Sequence, residues 1–374
     1  MIRIAWQMLV GDRVKYGSLI IGISFGILLI TQQGSIFIGI MHRSFSMLND
    51  MAVAQIWVMD KGVQYPDDLK PMKDTDLSRV RSVPGVQWAV PLFKAQGRAR
   101  TKNGDYQTAV ILGLDSASLL GGPEAMKEGK LEDLWRQDGV IVDGPGAQRL
   151  GVKVGDVLEL NDKRAEVVGI ADIQRTFQSL PVLYTTYTRA QTYTPGERKT
   201  LSFILAAPQQ GRAVLDVAKS IEDSTGLGAL SSDQFAWRTI DYYRKNTGIV
   251  INFGITVFLG FLVGLAVAAQ TFYTFVHENL RNFGALKAMG ASNFTLVKMV
   301  LFQAFVSGVI SYGIGIGGAV LFGKLANGGK GPLAWRTPPE LLVGAFAAML
   351  ILVTFASLLA LRKVIKLEPG IVFK

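Results

Sequence analysis

The sequence predicts an α-helical membrane protein with four transmembrane helices and an inserted α+β extracytoplasmic domain. Three observations carry that prediction. Four stretches, 17–40, 247–276, 299–323 and 341–361, contain no Asp, Glu, Lys or Arg, and each meets the roughly 20 residues a helix needs to cross a bilayer. Between the first two lies a segment, 41–246, with 26 basic and 25 acidic residues, whereas the rest of the chain holds 13 basic and 4 acidic ones. Hydrophobic residues make up 49% of the 374 and charged residues only 18%, with a mean hydropathy of +0.30. That balance excludes a disordered chain, a coiled coil and an ordinary soluble enzyme.

The elements follow in order. Residues 1–16 read as a cytoplasmic amphipathic segment, 17–40 as the first span, 41–246 as the outer domain with its stalk and 247–276 as the second span. Residues 277–298 form a cytoplasmic segment with a short helix, 299–323 the third span, 324–340 a short outer loop, 341–361 the fourth span and 362–374 a cytoplasmic tail. Arg3, Arg13, Lys15, Arg281, Lys287, Lys298, Arg362, Lys363, Lys366 and Lys374 face only Asp12, Glu278 and Glu368. The outer loop has Lys324, Lys330 and Arg336 against Glu340. Excess Lys and Arg mark cytoplasmic loops, so both termini and 277–298 are expected inside and 41–246 outside. The net charge of +10 therefore belongs to the membrane surface, and nucleic acid is not expected as a partner.

Span two, at 30 residues, is expected to reach about 45 Å at ~1.5 Å per residue. The first helix is expected to continue into 41–53 as a stalk. Trp237, Tyr242, Tyr243 and Trp335 suit interfacial anchoring, with core burial equally open for Trp237. Gly22 and Gly26, Gly260 and Gly264, and Gly313 and Gly317 each form G-x-x-x-G, a spacing that lets helix backbones approach closely.

In the outer domain, a short helix is expected before Pro84. Strands are expected at 86–92, 106–114, 139–142, 157–160, 164–173 and 201–206. The fourth and fifth of these pair as a hairpin across Asn161, Asp162 and Lys163. Pro208 is expected to open a helix to about Ser224, with Val214, Val217, Ala218 and Ile221 on one face. The whole reads as α+β in two lobes.

Catalytic and metal chemistry find little support. The string Gly318-Ala-Val-Leu-Phe-Gly323-Lys324-Leu325 nearly matches a phosphate-binding loop. It places Leu325 where a Mg²⁺-binding hydroxyl belongs, and its glycines lie inside an apolar span. The two histidines, His42 and His277, border spans on opposite membrane sides and share no metal site. Met41, Met47 and Met51 near His42 read as packing. Asp67, Asp68, Asp74 and Asp76 read as turn and cap residues. Cysteine is absent, which removes disulfides and thiolate metal sites. No enzyme, no metal and no cofactor in this chain are expected.

In 277–298, Leu280, Phe283, Leu286 and Met289 recur at helical spacing up to Gly290, and Ser292 is placed to cap the next helix. Such a short helix either docks in a partner's groove or rests on headgroups; the pattern alone leaves both open.

At this segment the chain resembles the FtsX/MacB-type (type VII) family of ABC transporter permeases. Asn282-Phe-Gly-Ala-Leu-Lys-Ala-Met-Gly-Ala291 is similar to the family's R-E-[IF]-G-x-L-K-A-[LM]-G-A, with Asn282 where Glu is usual. The tail Leu361-Arg-Lys-Val-Ile-Lys-Leu-Glu-Pro-Gly370 resembles its final basic stretch. Gly139-Val-Ile-Val-Asp143, Ala147-Gln-Arg-Leu-Gly-Val-Lys-Val-Gly-Asp156 and Val167-Val-Gly-Ile170 resemble its periplasmic domain, and Gln55-Ile-Trp-Val-Met59 is most like the DevC branch.

The resemblance implies a homodimeric, non-catalytic permease subunit in the bacterial inner membrane. It implies a separate ABC ATPase binding ATP and Mg²⁺, and a periplasmic adaptor with an outer-membrane channel. Function would be efflux by mechanotransmission, in which ATP-driven motion passes through the helices to the periplasmic domain. ATPase docking would fall to Leu280, Arg281, Phe283, Gly284, Leu286, Lys287, Met289 and Gly290, with Phe283 and Leu286 the residues whose loss should release the ATPase. The alternatives are an FtsX-like regulator that activates a cell-wall hydrolase without transport, and a channel or carrier.

Overall fold

The computed structural model describes residues 2–11, 13–101, 103–194, 201–327 and 333–365. Asp12, Lys330 and the tail residues Lys366, Glu368 and Lys374 lie outside the described residues, as does the end of the 361–370 string. The chain divides into two units: Met1–Ile40 with Gly248–Lys374, and Met41–Thr247. Two helices open it, α1 (Ile2–Gly11) and α2 (Arg13–Ser44). The first long helix ends at Ser44. Phe45 leaves helical geometry, and only the five residues of α3 (Ser46–Asp50) continue the expected stalk.

The outer unit then runs β1 (Ile56–Met59), α4 (Asp74–Arg81), β2 (Val86–Arg100), β3 (Tyr106–Leu114), β4 (Met126–Glu128), β5 (Gly139–Asp143), α5 (Gly144–Leu150), β6 (Val157–Leu160) and β7 (Lys163–Ala171). It continues with β8 (Val182–Thr186), α6 (Tyr187–Thr192), β9 (Phe203–Pro208), α7 (Val214–Thr225), β10 (Gly228–Ser231) and α8 (Ser232–Asn246). One lobe is a four-stranded antiparallel sheet in the order β10-β1-β9-β2, with α4 and α7 as its crossovers. This is the split βαβ arrangement of two interleaved βαβ halves. Ile56, Val58, Ile204 and Ala206 point to one face, against Val217, Ala218 and Ile221 of α7. Trp57, Met59, Phe203 and Leu205 point to the other, against Phe235 of α8, as the two-residue strand period requires.

The second lobe is inserted between β2 and β9. Strand β2 changes partner midway: Val86–Leu92 pairs with β9, and Phe93–Arg100 pairs with β3. From β3 the ladder runs through β8, β5, β7 and β6, and β6 returns to Ala99 and Arg100 of β2. The ring closes around Phe93, Ile111, Val142, Leu160, Val167 and Leu183. The expected hairpin is present, turning on Asn161 (φ 46) and Asp162 (φ 63), the positive-φ pair that a type I′ turn needs.

At the changeover lies Lys94. Its Nζ is 2.6 Å from Asp67 Oδ1 and donates to Pro66 O at 2.9 Å, while its backbone N–H donates to Ser202 Oγ. The strand expected at 86–92 thus extends to Arg100. Pro208 closes β9 instead of opening α7, whose N-cap is Ala213. Strands β1, β8 and β10 and helices α6 and α8 carried no clear signal. In β1 and β8 every residue is buried, so polar alternation is missing. Tyr243 is buried against Tyr65 and Phe177, which removes it from interfacial anchoring, whereas Trp237 is 71% exposed.

The membrane unit adds α9 (Ile249–Glu278), α10 (Leu280–Ala288), α11 (Asn293–Asn327) and α12 (Pro339–Ile365). Among the described residues, four helices are long and apolar enough to cross a membrane: Tyr16–Ser44, Ile249–Glu278, Asn293–Ala326 and Pro339–Leu358. Glycine sets their approach. A Cβ on Gly26 would lie 3.1 Å from Gly264 Cα, one on Gly260 would lie 3.0 Å from Leu29 Cβ, and one on Gly22 would overlap Val267. Gly313 and Gly317 differ, with nothing within 4 Å of their Cβ positions; Gly308, Gly315 and Gly318 of the same helix meet Met349, Ile27 and Leu28. The spacing defines a face of α11, and three-dimensional contact selects another one.

Candidate functional site

The segment 277–298 folds as the sequence predicts: α9 ends at Glu278, α10 follows after Asn279, and Gly290 (φ +95) turns the chain toward α11. Only glycine holds that left-handed geometry without strain. Thr295 N–H donates to Ser292 Oγ at 3.3 Å, the expected cap. The apolar stripe of α10, however, faces its own chain. Phe283 is fully buried and Leu286 is 7% exposed, in a cluster with Phe272, Val276, Leu296 and Val300; Gly284 is buried and Leu280 half-buried. Phe283 and Leu286, expected to dock the ATPase, thus face the chain's own bundle. Their apolar area already stabilises the bundle, and an aspartate there would cost the fold before it reached a partner.

What remains exposed lies at the other edge. Arg281, Gly290 and Met289 (75%) are open, with Lys287 half-buried, and Phe294 (67%) at the start of α11 continues the surface. Lys298 Nζ sits 4.4 Å from the Phe294 ring centroid, a cation–π contact that keeps a positive charge beside an apolar one. Asn282, where the family has Glu, is exposed and donates from Nδ2 to Asn279 Oδ1 at 2.9 Å. It thus makes a local amide contact in place of any ion pair.

Sequence reasoning missed the other half of this surface. Helix α1 lies against α11: buried Gln303 donates from Nε2 to Ala5 O at 2.7 Å, and Ala5 and Leu9 are buried. Between α1 and α10 runs a groove of about 710 Å³, with Gln7, Met8 and Gly11 on one wall and Asn282, Leu286 and Met289 on the other. Its two walls are at least 267 residues apart in sequence, so no local pattern reveals it. Among the described residues, no group of three or more His, Asp or Glu side chains is arranged to hold a metal. His42 lies edge-on to Phe45, and Met47 and Met51 belong to the outer unit's core. The glycines of the rejected phosphate-loop string sit within α11, where Gly323 faces Trp335.

Comparison with known proteins agrees with this architecture. Residues 254–369 match the model for the FtsX-like permease C-terminal region, and residues 19–224 match that for the MacB-like periplasmic core domain. Uncharacterized ABC transporter permeases from two strains of Mycobacterium tuberculosis are each 23% identical over 309 residues, covering 81% of this chain and 79% of theirs. Among solved structures, the periplasmic region of MacB from Actinobacillus actinomycetemcomitans aligns at 15% identity and a TM-score of 0.38, over 54% of this chain and 98% of that one. The extracellular domain of the noncanonic ABC-type transporter YknZ from Gram-positive bacteria aligns at 14% identity and 0.35, over 48% and 98%. With its four apolar helices, the chain is an inner-membrane protein with a periplasmic domain. It belongs to the FtsX/MacB-type family of ABC transporter permeases.

Proposed function

We propose that this chain is the non-catalytic membrane subunit of an efflux transporter. A separate ATPase, carrying ATP and Mg²⁺, docks on the exposed edge formed by Arg281, Met289, Gly290 and Phe294. ATP-driven movement of that edge travels along the helices to the periplasmic domain, which expels substrate toward an adaptor and an outer-membrane channel. Two copies of the chain work as a pair. The observation that carries this reading is the α10 edge. It combines Arg281 of α10, a helix locked to the bundle through Phe283, with exposed Met289 just after that helix and with Phe294 and Lys298 in the first turns of α11. A rigid helix with an exposed apolar tip passes force where a loop would absorb it.

Two further features support motion over conduction. The four predicted spans contain no Asp, Glu, Lys or Arg, residues that would mark an ion or substrate path through the bilayer. The match of residues 19–224 to a MacB-like domain supports export over hydrolase regulation.

The chain has no cysteine, so exposed Lys219 on α7 replaced as Lys219→Cys gives one spin label per copy. In the complex with its ATPase, the label-to-label distance distribution is expected to shift by several Å between nucleotide-free and ATP-trapped states. An unchanged distribution, with ATP demonstrably bound, would rule out mechanotransmission.

A further inference from the structure

Helices α2 and α11 meet along a seam whose contacts repeat every four residues. Ser311 Oγ donates to Ile20 O at 3.2 Å. Four residues further along both helices, a Cβ on Gly315 would lie 2.8 Å from Ser24 O. The two helices therefore run parallel with one offset kept over a turn. The α11 side of the seam is a track of Ser307, Ser311, Gly315 and Ala319, all buried and none larger than serine. Residues of that size raise no ridge against a neighbouring helix. Hydrogen bonding along the track is incomplete. Ser307 Oγ and Gln303 Oε1 on α11, and Ser24 Oγ and Thr31 Oγ1 on α2, are buried without a hydrogen-bond partner in the chain. A buried hydroxyl left unpaired is costly, and the hydrocarbon around a bundle supplies no acceptor.

Moving α2 by one turn, about 5.4 Å, toward its own N-terminus changes this pairing. Ile20 O comes opposite Ser307 Oγ, and Ser24 O comes opposite Ser311 Oγ. Ser311 keeps an acceptor and Ser307 gains one. Packed helices do pass between discrete arrangements of this kind, one turn at a time. Resting on the mechanotransmission reading above, we infer that α2 slides by one turn along α11 during the ATP cycle, the register of this structure being one of two. Because α2 runs on into the outer unit at Met41, the step is how ATP-driven movement leaves the bundle.

The test uses the full chain co-expressed with its ATPase and purified in mild detergent, nucleotide-free and ATP-trapped. In a chain without cysteine, two cysteine pairs report the register through disulfide formation, which needs Cα atoms within about 7 Å. I20C/S311C matches the register of this structure and S24C/S311C the shifted one. Linked peptides, read by mass spectrometry, are expected from the first pair in one nucleotide state and from the second pair in the other. Linkage of S24C/S311C in neither state, or equally in both, overturns the inference. Ser307→Ala removes a hydroxyl that pairs only in the shifted register. It is expected to leave the thermal midpoint of the chain unchanged and to lower S24C/S311C linkage about fivefold; undiminished linkage overturns the inference. Should a cysteine pair fail to give monodisperse protein, S307A decides with the Lys219→Cys label. The ATP-trapped distances are then expected to return toward the nucleotide-free ones, and unmoved distances overturn the inference. If the Lys219→Cys distances shift while I20C/S311C links alike in both states, mechanotransmission stands and the slide falls. If the pairs exchange while those distances stay fixed, the slide stands and mechanotransmission falls.

Discussion

Helices α7 and α10 arise from the same sequence pattern and end in different circumstances. In α7, apolar residues at helical spacing cover a sheet: Val217, Ala218 and Ile221 are buried against β1 and β9, and the exposed side is polar apart from Leu215. In α10, Phe283 and Leu286 are buried as completely. There, though, the surface left over is apolar and basic, with Met289 and Phe294 open beside Arg281 and Lys298. A periodic apolar stripe reports a chain's own core in both cases. A docking surface is read from what stays exposed after that core is satisfied, and here it is shared between α10, the turn that follows it and the start of α11.

The largest effect expected from this contrast lies at Phe283. Phe283→Asp buries a carboxylate among Phe272, Val276 and Leu296 and is expected to cost more than about 4 kcal/mol. It should be seen as loss of monodisperse protein on gel filtration in detergent. A soluble, wild-type-like F283D would reverse the assignment of faces on α10. Next in size is Ile221→Ala on α7. Ile221 is fully buried, so truncation is expected to cost about 2–4 kcal/mol, read as a lowered thermal midpoint of the full chain with ATPase recovery unchanged. An equal loss of ATPase recovery would mean that the outer unit is needed for docking.

A smaller effect separates the outer unit by pH. Burial, and then the nearby carboxylates of Asp143 and Glu124, push the Asp50 carboxyl up to about 7. Unfolded, the same group releases its proton near 3.8. The folded chain therefore holds the extra proton between those values, and its stability falls as pH rises from about 4 to 7. The expected loss is on the order of 2 kcal/mol, reduced from the full shift by the group's partial exposure. Thermal midpoints at pH 5 and 8 should differ less in Asp50→Asn than in the wild type; an identical pH slope in both would dismiss Asp50 as the cause.

Much of this architecture is legible in the sequence. The charge-free runs contain most of each long helix, and Asn161-Asp162 marks its hairpin because few residue pairs tolerate positive φ in succession. Strands β1 and β8 escape because both their faces are buried, and β2 is underestimated because nothing local announces its change of partner at Lys94. The glycine faces of α11 are ambiguous because Gly313, Gly315, Gly317 and Gly318 crowd one helix, and only neighbouring helices select among them. The groove is invisible for a different reason. Its walls, residues 4–11 and 278–289, are brought together by the bundle, where Gln303 of α11 holds Ala5.

The most direct test of the central claim is the recovery of the ATPase subunit with M289D/F294D, two exposed positions whose replacement leaves the buried face of α10 intact. Recovery at least tenfold below that of the wild type, with an unchanged thermal midpoint of the chain, is the expected result. Undiminished recovery would contradict the claim that the exposed edge of α10 and α11 is where the ATPase takes hold.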